Sequence, residues 1–447
     1  IADGAIPGNE GRGYVLRRLL RRASRFGRVL EMHEPFIYKL VDSLSAEMGQ
    51  AYPELVERRD YIARVIKAEE ESFGRTLDRG IEIFEQKAAA ARKTAHAVFP
   101  GKDAFILHDT YGFPLDLTQL MAAEKNLTVD SAEFNSEMER QRQRSSKLKD
   151  ATYQTIQIAD SRGGSEFVGY AMDSTEAQVI QYADGRLVLN RTPFYAESGG
   201  QVGDAGEIKN DAFQFAVKDT KNIGEHIVHF GEIVRGDAPK PGDVVTATID
   251  VKRRRATERN HTGTHLVHKA LRTVLGDHIS QAGSLVRPDH MRFDFTHFER
   301  LRADEIERIE NIVNETILEN RRTSWVTLPI QEAKRQGATA LFGEKYGDTV
   351  RMVEIDSYSK ELCGGTHVRS TGEIGGFAII NETSVAAGIR RIECLTGMNT
   401  CSYFRRRNRI LEGIAAQLNC APDETGERLV SVLEERKRLE QEMKRLR

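Results

Sequence analysis

The sequence predicts a multidomain α+β protein: an N-terminal helical domain, a small antiparallel β-barrel, an α+β core, and the start of a C-terminal helix or coiled coil. Three observations carry that expectation. Helical, amphipathic patterning dominates the first 150 residues. Short β-branched runs punctuated by "DG", "GG" and "PGD" dominate the next hundred. Helix-like and strand-like patterns then alternate before a charged, periodic tail. The boundaries expected from these shifts are 1–150, 151–250, 251–402 and 403–447. A length of 447 residues accommodates several domains, and 39% hydrophobic with 30% charged residues is a globular balance with material for real cores.

The first element, "RGYVLRRLLRRASRFGRVL", is strongly amphipathic. At about 100° per residue Leu16, Leu19, Leu20, Ala23 and Phe26 share one side, while Arg17, Arg18, Arg21, Arg22, Arg25 and Arg28 gather on the other. No acidic residue interrupts the stripe between Arg12 and Arg28, so i,i+4 pairing does not neutralise it. Two readings stay open, a solvated face and a phosphate-binding surface. A long charged helix follows from Val56 to Lys93, and "FPGKDAFILHDTYGFPLDLTQLM" supplies turn residues and a new helix start.

In the second segment "AQVIQYADGRLVLNRTPFYAESGGQVGDAGEI" and "DVVTATIDV" read as strands of a barrel or sandwich, with Gly199 or Gly200 taking positive φ in a glycine-rich hairpin turn. In the third, helices are expected around His261 and from Arg302 to Arg321. "RFDF", "VRMVEI" and "GFAII" read as strands, and Arg292 and Asp294 are placed on a solvent face. "RLVSVLEERKRLEQEMKRLR" begins an extended helix.

The formal net charge of −2 excludes a wholesale polycation, so any nucleic-acid contact must come from local patches. Cys363, Cys394, Cys401 and Cys420 show no disulfide-framework spacing, which points to a reducing, cytoplasmic location. No apolar run is long enough to span a bilayer and no signal-peptide pattern is present. Starting at Ile1 and stopping within a helical pattern, the chain reads as a piece of something longer.

The chemistry concentrates in two short motifs. "RNHTGTHLVHKALR" sets His261 and His265 four apart, so on a helix both imidazoles point the same way. "ELCGGTHVRS" offers Cys363 and His367 at the same interval. Three imidazoles and one thiolate are a tetrahedral zinc set of the expected ligand types, for one Zn2+ ion. His268 lies one turn beyond His265 and either competes as a ligand or packs beside the site. The hydrolytic H-E-x-x-H motif carries a glutamate where this sequence has Thr262, which disfavours a zinc peptidase. Four protein ligands ordinarily mean a closed site, whereas catalytic zinc keeps a position open; the sequence leaves both possible.

"HTGTH", "SQAGSLV", "RFDF" and "CGGTHV", in this order, resemble the editing domain of the alanyl-tRNA synthetase family. "PGNEGRGYVLRRLLRRASR" and "LHDTYGFPLDLT" resemble the same family's helical tRNA-recognition region. The resemblance covers the chain to about Gly397 and implies hydrolytic editing of Ser-tRNA(Ala) and Gly-tRNA(Ala) at a zinc-containing α+β editing core. Within it His261, His265, Cys363 and His367 match metal ligands, and Thr264 and Gln281 match residues of the substrate pocket. Asn9 and Asp109 match residues that read the wobble G·U pair of the acceptor stem, whose guanine amino group lies in a wide minor groove. Gly199 and Gly200 match a loop approaching the acceptor end, and the arginine stripe, with Arg17, Arg18, Arg21, Arg22 and Arg25, becomes a phosphate surface. The resemblance also implies that ATP belongs only to an aminoacylation core absent from this chain, so that the chain edits without aminoacylating. Oligomerisation would use a C-terminal region that is likewise absent. The rival readings are a non-catalytic zinc-stabilised RNA-binding module and an editing domain of the threonyl-tRNA synthetase type, which shares both ligand pairs.

Overall fold

The arginine-rich segment folds as helix α1 (Gly11–Val29) with much of its expected outer face turned inward. In this computed structural model, residues 1–8, 11–93, 97–150, 164–339, 347–386 and 388–446 are described, with backbone only for 142–150 and 386. They form two compact units, one of Ile1–Ala159, Asp294–Leu301 and Thr383–Arg391, the other of Asp160–Phe293, Arg302–Glu382 and Ile392–Arg447.

In the first unit, α1 is followed by a 33-residue helix α2 (Arg59–Ala91), then α3 (Gly101–Tyr111), α4 (Leu115–Glu124) and α5 (Ser131–Asp150). Phe73, Leu77 and Phe84 of α2 pack with Leu107, Phe113, Leu117, Met121 and Phe134 into one core. Leu20 of α1 joins a second core with Val41, Ile62 and Ile66. The arginines go in beside it. Arg17 is buried, donating to the Pro7 carbonyl at 2.9 Å with Glu69 3.3 Å away. Arg21 reaches Glu69 at 2.7 Å, Arg25 forks onto Glu124, Arg28 meets Asp78 at 2.9 Å and Arg18 meets Asp116 at 3.5 Å. Leu19 and Val29 are left 57% and 62% exposed. Carboxylates on α2 and α4 supply the neutralising charge that α1 lacks, and the arginine stems cover apolar surface on the way in. Arg17, Arg21 and Arg25 are thus not the open basic face expected from α1 alone.

The second unit holds a closed barrel of strands β1 (Ser174–Ala183), β2 (Arg186–Leu189), β3 (Gly206–Lys209), β4 (Phe213–Ile223), β5 (His226–Gly236) and β6 (Val244–Ile249). Its order is β6-β1-β2-β5-β4-β3, with β3 closing onto β6 and every pairing antiparallel. Inward residues such as Val179, Leu187, Phe213, Phe215, Val245 and Ala247 fill it. Closure removes free edges, the solution available to short twisted strands.

Helix α6 (Val251–Leu275) leaves the barrel, capped by Asp250, whose side chain accepts from the Arg253 amide at 3.0 Å. β7 (Gln281–Val286) and β8 (Met291–Thr296) follow, then α7 (Ala303–Leu318). β9 (Thr323–Pro329), β10 (Thr349–Ile355) and β11 (Ser359–Leu362) form an antiparallel sheet in that order. β12 (Phe377–Ala386) and β13 (Ile389–Thr396) complete a four-stranded sheet, β7-β8-β13-β12. Asp294 is not on a solvent face: it is buried and held by the Arg391 guanidinium through two bonds of 2.7 and 2.8 Å. The tail comprises two helices, α8 (Gly397–Leu418) and α9 (Thr425–Leu446), separated at Asn419, which takes a left-handed φ of 51°.

Candidate metal centre and its cavity

α6 is buried around most of its circumference from Arg254 to Leu271, so polar groups on it need internal partners. Arg254, wholly buried, fixes its start: the guanidinium bonds Asp204 through Nε at 2.9 Å and the carbonyls of Gly169 and Pro193 at 2.8 Å each. About two and three turns later come His261 and His265, stacked with centroids 5.5 Å apart and planes within 11°. The turn after β11 brings Cys363 and His367 to them. One ligand atom from each of the four residues lies within 4.8 Å of the others, and all but the half-buried Cys363 are buried.

Hydrogen bonds orient every imidazole. His261 Nδ1 lies 2.6 Å from Gln201 Oε1, which also accepts from the Thr366 amide at 3.0 Å. His265 Nδ1 lies 2.7 Å from Glu361 Oε2, and His367 Nδ1 lies 3.3 Å from Thr262 Oγ1. The Gln201 and Glu361 oxygens at Nδ1 place the proton there on His261 and His265 and turn their Nε2 lone pairs inward, the arrangement that metal-bound histidines need, and the Thr262 hydroxyl can serve His367 in the same way. His265 Nε2 is buried with no hydrogen bond. Cys363 Sγ is 3.3 Å from His261 Nε2 and 3.4 Å from His367 Nε2. Bonds of about 2.0–2.1 Å to nitrogen and 2.3 Å to sulfur at tetrahedral angles would separate N and S by about 3.5 Å. The donor set therefore fits a tetrahedral metal ion.

The electrostatics agree. Burial pushes the Cys363 thiol up, but the His261 and His367 imidazoles outweigh it and hold the thiol well below its ordinary range, so a thiolate is favoured. Burial, reinforced by the neighbouring His261, lowers His367 from its ordinary value. Burial lowers His265 too, but the Glu361 carboxylate more than compensates and raises it to about 10; an ion would displace that proton.

A cavity of about 270 Å³ opens on the cluster. Thr264 and Gln281 line it together with His261, His265, Ser284 and Gly364, and none of its lining residues is a carboxylate. The Thr264 hydroxyl donates to the Asn260 carbonyl at 2.9 Å, which leaves its oxygen an acceptor. Gln281 Nε2 donates to Ser284 Oγ at 3.2 Å. Gly199 lines the cavity as well and takes a φ of +56°, in the turn closed by the Ser198 and Gln201 backbones. Gly200, at +84°, instead packs on Ser284, where a Cβ would lie 2.4 Å from its Oγ. The turn lies in the connection from β2 to β3, which do not pair, so it is not a barrel hairpin; its Gln201 pairs with Val286 of β7.

The amino-terminal half of the chain, residues 1–253, matches the family model of class II (A) tRNA synthetases, and residues 350–393 match the threonyl and alanyl tRNA synthetase second additional domain. The chain belongs to the class II (A) tRNA synthetases. Within that family it is 44% identical to the alanine–tRNA ligases of Hydrogenovibrio crunogenus and Thermoanaerobacter pseudethanolicus, each over the whole chain and 53% of the relative. The Pelotomaculum thermopropionicum ligase is likewise 44% identical, over 99% of the chain and 53% of its own length. The chain thus spans about half the length of the curated relatives it matches. The second additional domain contains Cys363 and His367; His261 and His265 lie outside both matched ranges and are tied to it by the geometry above.

Other expected synthetase residues fall elsewhere. His268 is not in the cluster; its Nδ1 lies 3.1 Å from Glu361 Oε1, so one carboxylate holds both it and His265. Asp109 sits exposed in the last turn of α3, its Oδ1 accepting from Gln141 Nε2 at 2.5 Å, and it does not cap α4, whose N-cap is Pro114. Asn9 lies outside the described residues. Sequence reasoning missed Gln201, Glu361 and the orienting use of Thr262. The first sits in "SGGQVG" and reads as turn; the second, in "SKELCGG", precedes the thiolate by two and was the one signal available.

Proposed function

We propose that this chain binds tRNA(Ala) and hydrolyses the ester of mischarged Ser-tRNA(Ala) and Gly-tRNA(Ala) in the cavity beside the His261–His265–Cys363–His367 cluster. The observation that supports this best is the convergence, on one small cavity without carboxylates, of a tetrahedral donor set with Thr264 and Gln281. We assign the cluster to Zn2+, for which imidazole and thiolate are suitable ligands. Bound there, the ion would supply Lewis-acid polarisation.

The chain's own residues account for substrate choice. An aminoacyl ester is far more labile than an amide, so orienting one water matters more than a glutamate base. Thr264, its proton committed to Asn260, offers an acceptor to the serine hydroxyl; alanine would leave that acceptor unpaired, at about 1–3 kcal/mol. This argument applies to serine and not to glycine. A hydrolytic site of this kind answers a synthesis pocket that discriminates poorly against serine.

In the helical unit, Asp109 Oδ2 faces the acceptor stem in this reading and accepts from a guanine amino group, while the exposed Arg22 and half-exposed Arg18 contact phosphates. Functionally we assign residues 1–150 to recognition, 151–402 to editing and 403–447 to a helical connection.

The test is deacylation of Ser-, Gly- and Ala-tRNA(Ala) by the chain and by Cys363→Ala, with metal content measured on both. The reading requires serine and glycine release with one zinc per chain, both lost in the variant. Normal tRNA binding without hydrolysis would instead make the chain a zinc-stabilised RNA-binding module, and preferential release from Ser-tRNA(Thr) would assign it to the threonyl type.

A further inference from the structure

The turn that carries Cys363 is held from behind in an unusual way. Its three successive carbonyls are all occupied by side chains. Arg351 Nη1 donates to Cys363 O at 3.0 Å and to Gly365 O at 2.7 Å, and the Tyr170 hydroxyl donates to the carbonyl between them, Gly364 O, at 2.5 Å. The Arg351 backbone carbonyl also accepts from the Cys363 amide at 3.0 Å. The guanidinium carbon lies 4.2 Å from the Tyr170 ring centroid and 4.8 Å from that of Trp325.

The strand register explains the placement. Thr327 of β9 stands opposite Arg351 of β10, Trp325 opposite Val353, and Val353 opposite Glu361 of β11. Directly opposed residues share a face of the sheet and alternate residues repeat it. Arg351 and Trp325 are therefore diagonal neighbours on the face from which Glu361 grips His265. The residues flanking Arg351, Val350 and Met352, pack with Leu362 and Ala333 in a separate apolar cluster.

As a device for stability alone this is a poor choice. Arg351 Nε and Nη2 are buried without a hydrogen bond, and no described carboxylate forms an ion pair with the side chain. Arg351 is half-buried as a residue, and leaving two buried N–H groups of a cation unpaired costs free energy. Its bonds instead go to the segment on which the site depends. With the carbonyls fixed, the Gly365 amide donates to Cys363 Sγ at 3.4 Å and the Thr366 amide to Gln201 Oε1, the oxygen that orients His261. Gly364 lines the cavity with open space where a Cβ would stand.

We propose that Arg351 is a positioning residue, assisted by Tyr170, which holds the Cys363–Gly365 turn so that the Cys363 sulfur reaches the metal and Gly364 keeps its place in the cavity wall. The inference rests on the metal reading above. Arginine suits the task because one planar guanidinium bridges two carbonyls while lying against aromatic rings, which a lysine ammonium does not reproduce.

The test is metal binding rather than turnover. The whole chain, stripped of metal, is titrated with Zn2+ against a chromophoric chelator and with Co2+ while following the thiolate-to-cobalt charge-transfer band. Arg351→Lys should weaken both ions by about ten-fold or more, the loss usual when an outer partner of a metal ligand is removed, and should shift or weaken the band. The metal-free melting temperature should stay near wild type. Tyr170→Phe, which keeps the ring and deletes one hydroxyl, should lose affinity in the same direction by less. Wild-type affinity and band in Arg351→Lys overturn the proposal, as does a metal-free protein destabilised as much as metal binding is weakened. Should Arg351→Lys not fold, Tyr170→Phe decides, and an unchanged affinity there overturns it. A wild-type chain that takes up neither ion overturns the metal reading and this inference together; a wild type that binds and variants that bind equally well overturn this inference alone.

Discussion

Thr262 stands where a hydrolytic zinc helix carries its glutamate, and its oxygen accepts from the Val368 amide at 3.2 Å while lying 3.3 Å from His367 Nδ1. The position thus contacts a candidate ligand from the other motif. Two neighbouring residues yield separable expectations. Thr264→Val removes the acceptor we assign to the serine hydroxyl, so the ratio of Ser- to Ala-tRNA(Ala) deacylation should fall by roughly five- to a hundred-fold; an unchanged ratio removes Thr264 from substrate choice. Gly365→Ala would set a Cβ 2.0 Å from His261 Cε1 and 2.3 Å from its Nδ1, whereas Gly364→Ala meets nothing within 4 Å. Metal titration should therefore show binding lost in Gly365→Ala and retained in Gly364→Ala. The spacing of His261 with His265 and of Cys363 with His367 was legible in the sequence because both pairs are local. Gln201 and Glu361 were not, since neither role exists until segments 60 and 96 positions apart meet.

At the scale of elements, α6 depends on its anchorage and the barrel on its interior. Arg254→Ala strands the buried Asp204 carboxylate, and breaking such a pair costs about 3–5 kcal/mol; chemical denaturation should register that loss. Within the barrel, His229 is wholly buried between the Leu187 carbonyl, 2.9 Å from Nδ1, and Thr192 Oγ1, 2.8 Å from Nε2. Burial lowers its pKa from 6.5 to about 4, only partly offset by the Leu187 carbonyl. Because the folded value is the depressed one, the unfolded chain binds the extra proton between these values. Stability from this residue is therefore full above pH 6.5 and declines as pH falls toward 4, by at most about 1.4 kcal/mol per pH unit. His229→Gln should flatten that part of the stability profile; an identical slope in the variant would assign the decline to other groups. Turn punctuation made the barrel legible, since alternation and "DG" signals are properties of adjacent residues. The inward turn of the α1 arginines was illegible for the converse reason: Glu69, Asp78, Asp116 and Glu124 lie 48 to 99 residues from the arginines they meet in the chain's hydrogen-bond and ion-pair network.

For the whole molecule, the four residues of the candidate metal cluster all belong to the second unit, and each unit has cores of its own. Ligand binding stabilises only the state that binds. Calorimetry with and without a chelator should thus move the unfolding transition of the second unit and leave that of the first in place; a common shift of both would show that the units unfold together. No described helix is long and apolar enough to cross a membrane. The amino-acid sequence by itself determined the element types, the barrel's strands, the spacing of the two candidate ligand pairs and the family resemblance, all of which are written in residues a few positions apart. Only tertiary structure decided which face of α1 turns inward, which carboxylate and amide aim the imidazoles, and that Arg351 stands behind the Cys363 turn. Those outcomes depend on which distant charges and donors become neighbours once burial makes an unpaired polar group costly, and helical or strand periodicity carries no information about that.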